Sequence, residues 1–338
     1  MIRRYSITDS FTPLTGSTVD DRVLKAEDKM NYQGVWYPLG LPTNRLYAWG
    51  YNYQGQLGLG DTKDRHTPTK VGDKTWKSIA CGGLYTIAID TEGYLYAWGH
   101  NLSSQLGLGD TKDRYTPTKV GDKTWKSIAC GDSYTIAIDT EGYLYAWGSN
   151  IRGNLGLGDT KTRYTPTKVG DKTWKSIACG ADHTIAIDTE GYLYAWGEDL
   201  DGQLGLGDTA ISRHTPTKVG DKTWKSIACG GFYTIAIDTE GYLYAWGDND
   251  YGQLGLGDTK NRHAPTKVGD KTWKSIACGA DHTIAIDTEG YLYAWGEDLD
   301  GQLGFGTVSE DGIYTPTKVG DKTWKSIACD AHTIAIEG

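Results

Sequence analysis

Phenylalanine and methionine are nearly absent from this chain: three Phe and two Met in 338 residues. The aromatic load falls instead on 13 Trp and 23 Tyr, an imbalance that points to one aromatic unit copied many times. No stretch approaches the roughly 18 apolar residues of a membrane-spanning helix, so no membrane span is expected. An excess of positive charge is missing too. The net charge is −9, from 34 Lys and Arg against 43 Asp and Glu, which argues against nucleic acid or an anionic membrane as the main partner. The start, MIRRYSITDS, has no apolar run after its charges. No signal peptide is expected, and the product should be soluble and made in the cytoplasm. The six Cys include no C-x-x-C pair, which removes the usual zinc pattern. The recurrent GDKT lacks the second Gly and the Gly-Lys-Ser/Thr ending of a phosphate loop, so it reads as a turn.

What is present is a repeat. YAWG ends at Gly50, Gly99, Gly148, Gly197, Gly247 and Gly296, and WKSIAC begins at Trp76, Trp125, Trp174, Trp224, Trp273 and Trp324. The period is 49 to 51 residues. Each copy reads as four short strands. WKSIAC is strand A, and YTIAID, with its alternating Ile, is strand B. DTEG is a tight turn, and YLYAWG is strand C. A Gly-rich loop leads to strand D, TPTKV, where Pro117 suits an outer edge. A four-stranded unit repeated radially is a β-propeller blade. The expected fold is all-β: six four-stranded blades over residues 44–338, with seven blades as the alternative. Residues 1–43 are unlike the repeat and read as an extended N-terminal arm. The chain enters the repeat at strand C, NRLYAWG, and stops after strand B, HTIAIEG. Pairing of these terminal strands is expected to close the ring and remove its exposed edges.

The blocks LYAWG, GQLGLGD, TPTKV and SIACG..HTIAI resemble the repeats of the regulator of chromosome condensation family. The resemblance covers about residues 44–338, with the blocks recurring in the same order. It implies a β-propeller, usually of seven blades, where this chain shows six units. It implies no single activity. The founding member is an exchange factor for a small nuclear GTPase, a plant relative senses ultraviolet light, and a bacterial relative inhibits β-lactamases. The photoreceptor's Gly-Trp-Arg-His-Thr signature is absent here, and the repeats show no asymmetric set of exchange-factor loops.

Several features invite chemistry and are better explained without it. Asp182-His183 and Asp281-His282 could be His-carboxylate dyads. The same slot holds Tyr85, Tyr134 and Tyr233 in other copies, which favours packing or hydrogen bonding, and no nucleophile converges on it. DNDYG and EDLDG resemble half a calcium loop but lack the remaining ligands. The six Cys occupy one slot per copy and read as small buried hydrophobes, with a thiol ring around the axis as the alternative. Asn101 opens a glycosylation sequon that needs secretion to be used. No cofactor, metal site or catalytic residue is expected, and the protein is read as non-enzymatic.

The variation between copies is not spread evenly. DTEG and GDKT do not change, whereas the A–B and C–D loops do, and a meander places those two loops on one face. This variable face is the expected partner-binding surface. Its candidates are Tyr51, Tyr53, Tyr85, His100, Asp132, Tyr134, Arg152, Asp182, His183, Glu198, Asp199, Asp201, Phe232, Tyr233, Asp248, Asp250, Tyr251, Asp281, His282, Glu297, Asp298, Asp300 and His332. The acids among residues 198–201, 248–250 and 297–300 form a sector suited to a basic partner. A protein or glycan receptor is expected there. The arm, with Tyr5, Phe11, Val35, Trp36 and Tyr37, is expected to dock on a larger assembly. Arm plus polarity suggests a phage virion fibre, knob or decoration protein. The alternatives are a nucleotide-exchange regulator of a small GTPase and a secreted or surface inhibitor or lectin-like module.

Overall fold

The computed structural model describes residues 29–32, 35–38, 44–208 and 210–338. Among these there is no helix. A hairpin of β1 (Lys29–Tyr32) and β2 (Val35–Pro38) comes first. The repeat follows as β3 (Arg45–Gly50), β4 (Arg65–Cys81), β5 (Tyr85–Asp90), β6 (Tyr94–Gly99), β7 (Arg114–Cys130), β8 (Tyr134–Asp139) and β9 (Tyr143–Gly148). It continues as β10 (Arg163–Cys179), β11 (His183–Asp188), β12 (Tyr192–Glu198), β13 (Ser212–Cys229), β14 (Tyr233–Asp238) and β15 (Tyr242–Gly247). The last strands are β16 (Arg262–Cys278), β17 (His282–Asp287), β18 (Tyr291–Asp298), β19 (Ser309–Cys329) and β20 (Thr333–Glu337). Val35, Trp36 and Tyr37 lie in β2, while Tyr5 and Phe11 lie outside the described residues.

One detail differs from the sequence expectation. Strands D and A are not separate strands joined by a GDKT turn. They are two halves of one long strand, as in β7, whose first half pairs with β6 and whose second half pairs with β8. Gly121, at φ +59°, sits where the ladder shifts from Lys119 to Thr124. GDKT is therefore an irregularity inside a strand that passes from one sheet to the next.

The middle strands explain the composition. Every residue of β8, YTIAID, is buried, because its sheet is covered on both faces by neighbouring sheets. Tyr134, Ile136, Ile138, Leu144 and Ala146 pack with Leu155, Val169, Trp174, Ala186 and Trp196 of the next unit. Trp174 and Trp196 meet at 5.9 Å between ring centroids, and Trp174 stands edge-on to Tyr194 at 5.3 Å. The core is a series of such interfaces between units, each repeated from the same sequence.

The ladders run unbroken from β3 to β20, but among the described residues none joins β20 back to β3. The expected closure is absent in this structure. Trp49 of β3 is 55% exposed, whereas its counterpart Trp98 is 1% exposed. Ile334 and Ile336 of β20 are likewise exposed, whereas Ile87 and Ile89 are fully buried. The physical reason lies in connectivity. Every other B–C pair is held by a DTEG turn that sets its register, but this pair would join the two ends of the ring without a turn.

Candidate functional site

The A–B and C–D loops do share a face. In five of the six units the residue after YAWG donates its amide to the A–B loop: His100 to Leu84, Ser149 to Ser133, Glu198 to Asp182, Asp248 to Phe232 and Glu297 to Asp281, all at 2.9–3.0 Å. Gly99 is required at this junction, since its φ is +99° and a Cβ would lie 2.6 Å from the Leu84 carbonyl.

A buried amide organises each C–D loop. Asn101 Nδ2 donates to the Asp110 and Lys112 carbonyls, while its Oδ1 accepts from Leu106 N. Asn52, Asn150 and Asn249 occupy the same place, fully buried. In the two EDLDG copies this residue is an acid. Asp199 and Asp298 still accept from Leu204 and Leu303 N at 3.0 Å, but a carboxylate has no N–H to donate. Those two copies are also the ones whose loops end in TAISRH and TVSEDGIY rather than the DTK form. Burial pushes the Asp199 carboxyl up to about 6, against the opposing Leu204 amide. Asp199 and Asp298 are thus built into the loop rather than displayed on it. Among the described residues no group of three or more His, Cys, Asp or Glu forms a metal cluster.

Eight sequence candidates therefore lie inside rather than on the surface. Tyr85, Tyr134, Tyr233, His183, His282, Glu198, Asp199 and Asp298 are all buried. The Tyr hydroxyls donate to carbonyls of the next unit, Tyr134 to Gly180 at 3.2 Å for example. In place of Tyr, His183 Nε2 meets Thr234 Oγ1 at 3.1 Å, and burial lowers its pKa to about 3. The Tyr/His slot is an inter-unit bolt, not a dyad. Glu198 is covered by Arg152, Oε1 to Nε 3.0 Å.

The remaining candidates stand exposed or half-exposed on the loop face: Tyr51, Tyr53, His100, Asp132, Arg152, Asp182, Asp201, Phe232, Asp248, Asp250, Tyr251, Asp281, Glu297, Asp300 and His332. The acids are poorly compensated. Burial, then Glu297, Asp248 and Asp250, push Asp281 up to about 6. Burial and Asp250 raise Asp248 and Asp201. Gln253 Nε2 bridges two of these acids, 2.9 Å from Asp248 and 3.4 Å from Asp281.

The sequence candidates took in Tyr53 but missed the rest of the set to which it belongs. The residue after the buried Asn or Asp is Tyr53, Leu102, Ile151, Leu200 and Leu299 in five units, exposed by 67, 71, 66, 55 and 49%. In the other unit it is Asp250, followed by the exposed Tyr251. An apolar residue recurring in a loop otherwise read as a polar turn was the available signal.

The six Cys are not simply buried. Cys81, Cys130, Cys179, Cys229, Cys278 and Cys329 line one central channel of ≈ 520 Å³, together with Asp132 and Asp330. They are free thiols. Burial raises the pKa of all six, Cys179 and Cys329 to about 12, which makes them poor nucleophiles.

The opposite face is uniform for a structural reason. Lys123 of GDKT pairs with Asp139 at 2.9 Å and lies over the Tyr145 ring. Asp139 Oδ1 accepts from Glu141 and Tyr143 N in the B–C turn. The same set recurs around Asp90, Asp188, Asp238 and Asp287. GDKT and DTEG hold each other in place, so their identity does not by itself mark the loop face as selected for variation.

The RCC1-like domain profile matches residues 121–338, and the regulator of chromosome condensation (RCC1) repeat matches 43–89 and 92–138. The structure of human WBSCR16 superposes with TM-score 0.77 at 21% identity, covering 90% of each chain. Yeast RCC1 (Prp20), solved bound to Kap60, superposes with TM-score 0.74 at 26% identity, covering 86% of this chain and 75% of that one. The ultraviolet-B receptor UVR8 of Arabidopsis thaliana is 42% identical over 53 residues, 15% of this chain and 12% of the receptor. The match thus spans only a small part of the receptor's length.

Proposed function

Because the chain belongs to the regulator of chromosome condensation repeat family, we propose that it is a non-enzymatic binding protein whose loop face engages a partner protein. The carrying observation is the exposed apolar residue at the tip of five C–D loops, presented on loops that are themselves pinned by a buried Asn or Asp side chain and backbone hydrogen bonds. The yeast relative Prp20 lends support, having been solved bound to Kap60 and studied for binding to Gsp1p and histones. Cross-linking followed by mass spectrometry on the complex from the native source tests this. Cross-links concentrated on the loop face are expected. Cross-links confined to the GDKT/DTEG face overturn it.

The proposed working form is a six-bladed ring. Five four-stranded sheets are complete, and β3–β4 with β19–β20 supplies the two halves of one more. Thr333 Oγ1 already donates to the Gln302 carbonyl at 2.8 Å, as Thr86 does to Gln56 at 2.9 Å. Pairing of β20 with β3 would bury Trp49, Ile334 and Ile336. Residues 1–43 are proposed to dock the ring to a larger assembly. The relatives lend nothing to a virion role, and none is proposed.

A second reading is nucleotide exchange on a small GTPase. It is favoured by a 43% identical match over 51 residues to the Ras guanine nucleotide exchange factor C of Dictyostelium discoideum, 14% of this chain and 4% of that protein. Accelerated nucleotide release from a GTPase panel supports it, and no acceleration removes it.

A further inference from the structure

The loop face combines two properties that together narrow its partner. The first is the apolar tip. Single exposed apolar residues on a surface are ordinary. These are not single, because they fill one slot in five of six units. The slot does not demand them, since Asp250 occupies it in the unit of β15 and leaves the buried Asn249 and its bonds intact. Nor are they one frozen copy. The slot has changed from Tyr53 to Leu102 to Ile151 to Leu200 while its neighbours changed from Gln54 to Ser103, Arg152 and Asp201. Identity drifted, while apolar character was kept in all units but that of Asp250. Leu and Ile offer no hydrogen bonds and no flat ring to a sugar, so this set suits a polypeptide better than a glycan.

The second property is the charge that lies beside these tips. Asp201, Asp248, Asp250 and Asp300 lie in the segments that follow β12, β15 and β18, Glu297 lies near the end of β18, and Asp281 lies in the loop between β16 and β17. Their observed partners are mostly neutral amides: Gln253 for Asp248 and Asp281, Asn261 for Asp201, and Gln302 for Glu297. Arg152, the cation in the neighbouring C–D loop, is spent on Glu198. This half of the face thus carries uncompensated negative charge, while the half bearing Tyr53, Leu102 and Ile151 carries little. A partner covering both must bring apolar side chains to the tips and cations to the acids.

Resting on the loop-face reading above, we infer that the partner segment is a basic, amphipathic polypeptide, with Leu-, Ile- or Phe-type side chains contacting Leu102, Ile151 and Leu200 and with Arg or Lys reaching Asp201, Asp250 and Asp281.

The test is panning of a random linear peptide library on the full chain. Enriched peptides are then titrated against three variants. The first is Leu102→Asp/Ile151→Asp/Leu200→Asp, and the second is Asp201→Asn/Asp250→Asn/Asp281→Asn. The third, Glu141→Lys/Glu190→Lys, lies on the opposite face. All these side chains are exposed or half-exposed, and wild-type melting curves confirm folding. Peptides rich in both apolar and basic residues are expected. The first two variants should weaken them about tenfold or more, with the third unchanged. Binding should also fall as salt rises through the screening range. Enriched peptides that depend on the loops but carry no basic bias overturn this inference and leave the loop-face reading standing. Peptides sensitive only to the Glu141/Glu190 variant overturn the loop-face reading itself. No enrichment, or a glycan-array signal unaffected by the tip variant, overturns the basic-polypeptide assignment.

Discussion

The indole Nε1 of Trp147 donates to the backbone carbonyl of Gln105 at 2.9 Å, across the boundary between two units. Trp98, Trp196, Trp246 and Trp295 make the same bond to Gln56, Asn154, Gln203 and Gln253. This explains the GQLG glycine, because a Cβ on Gly107 would lie 2.7 Å from the Trp147 Nε1. Trp147→Phe keeps an aromatic ring but removes one of the two bonds to the Gln105 carbonyl, leaving the one from Thr135 Oγ1 at 2.8 Å. A loss of about 0.5–1.5 kcal/mol for the bond, plus the packing lost with the smaller ring, is expected in urea unfolding. If the ring closes in solution as proposed, Trp49→Phe costs a similar amount. A cost near zero for Trp49→Phe alone means that the seam stays open.

The register of closure can be checked directly. In the unit of β5 and β6, Ile87 faces Ala97 and Thr86 faces Trp98. The equivalent pairs across the seam are Ile334 with Ala48 and Thr333 with Trp49. The double variant Ala48→Cys/Ile334→Cys should form a disulfide under mild oxidation, identified by peptide mapping. Ala48→Cys with Ala335→Cys, one residue out of register, should not. The reverse pattern would show a slipped seam.

His183 and His282 replace Tyr in the bolt slot, and burial holds their pKa values down to about 3 and about 4. The unfolded imidazoles take protons near pH 6.5, where the folded ones do not. The unfolded state thus binds more protons below that pH, and stability falls as pH drops from about 6.5 towards 4. The loss is roughly 2 kcal/mol per fully buried His at pH 5. His183→Tyr/His282→Tyr removes both titrations and can restore the hydroxyl-to-carbonyl bonds made by Tyr134. Thermal melts at pH 5 and pH 7.5 should show the variant losing less stability on acidification than the wild type. An unchanged difference sinks this account.

Asp199 works in the other direction. Its folded pKa, raised to about 6 by burial, lies above the unfolded value. The folded state then binds more protons, and stability falls as pH rises between about 4 and 6. Asp199→Asn should stabilise the protein by roughly 1–2 kcal/mol at pH 7.5, with the gain shrinking as pH falls from about 6 and gone below about 4. An Asn here could also donate to the Asp208 carbonyl, as Asn150 does to Asp159 at 2.8 Å. Chemical denaturation across pH measures this. A destabilised variant at pH 7.5 would show that the TAISRH loop requires the carboxylate.

The repeat carried most of the fold into plain view, since the strands of YTIAID and YLYAWG, the turn between them and the shared face of two loops all follow from alternation and a meander. Burial of individual loop residues was not legible. Glu198 and Asp199 look like surface acids beside Asp201, yet a loop that folds back on its own Asn or Asp buries adjacent residues such as these two without any strand-like pattern. Leu200, the apolar member of EDLDG, points outward for the same reason. The Cys slot was legible as one residue per unit, but not its placement on a shared channel, which depends on how the sheets are arranged around the axis. Closure depends on two segments nearly three hundred residues apart in sequence, a pairing that no local pattern specifies.

The uniform face supplies the last prediction. Burial pushes the Asp139 carboxyl up, but the Lys123 ammonium and the Tyr143 and Glu141 amides outweigh it and hold its pKa below the usual value. The Asp139 side chain is 1% exposed and Lys123 is 41% exposed, so removing the lysine leaves a buried carboxylate with only its two amides. Lys123→Met keeps the stem that covers Tyr145. It should cost about 1–3 kcal/mol and shift the Asp139 titration upward, read by carboxyl-carbon NMR. Because Asp139 is depressed in the wild type, the stability it contributes is present above its unfolded pKa and is lost as pH falls through the folded one. The variant should lose that acid dependence while its partner binding stays unchanged. Lost binding with intact stability would instead make GDKT and DTEG a contact surface, and their sameness in every unit would then be functional.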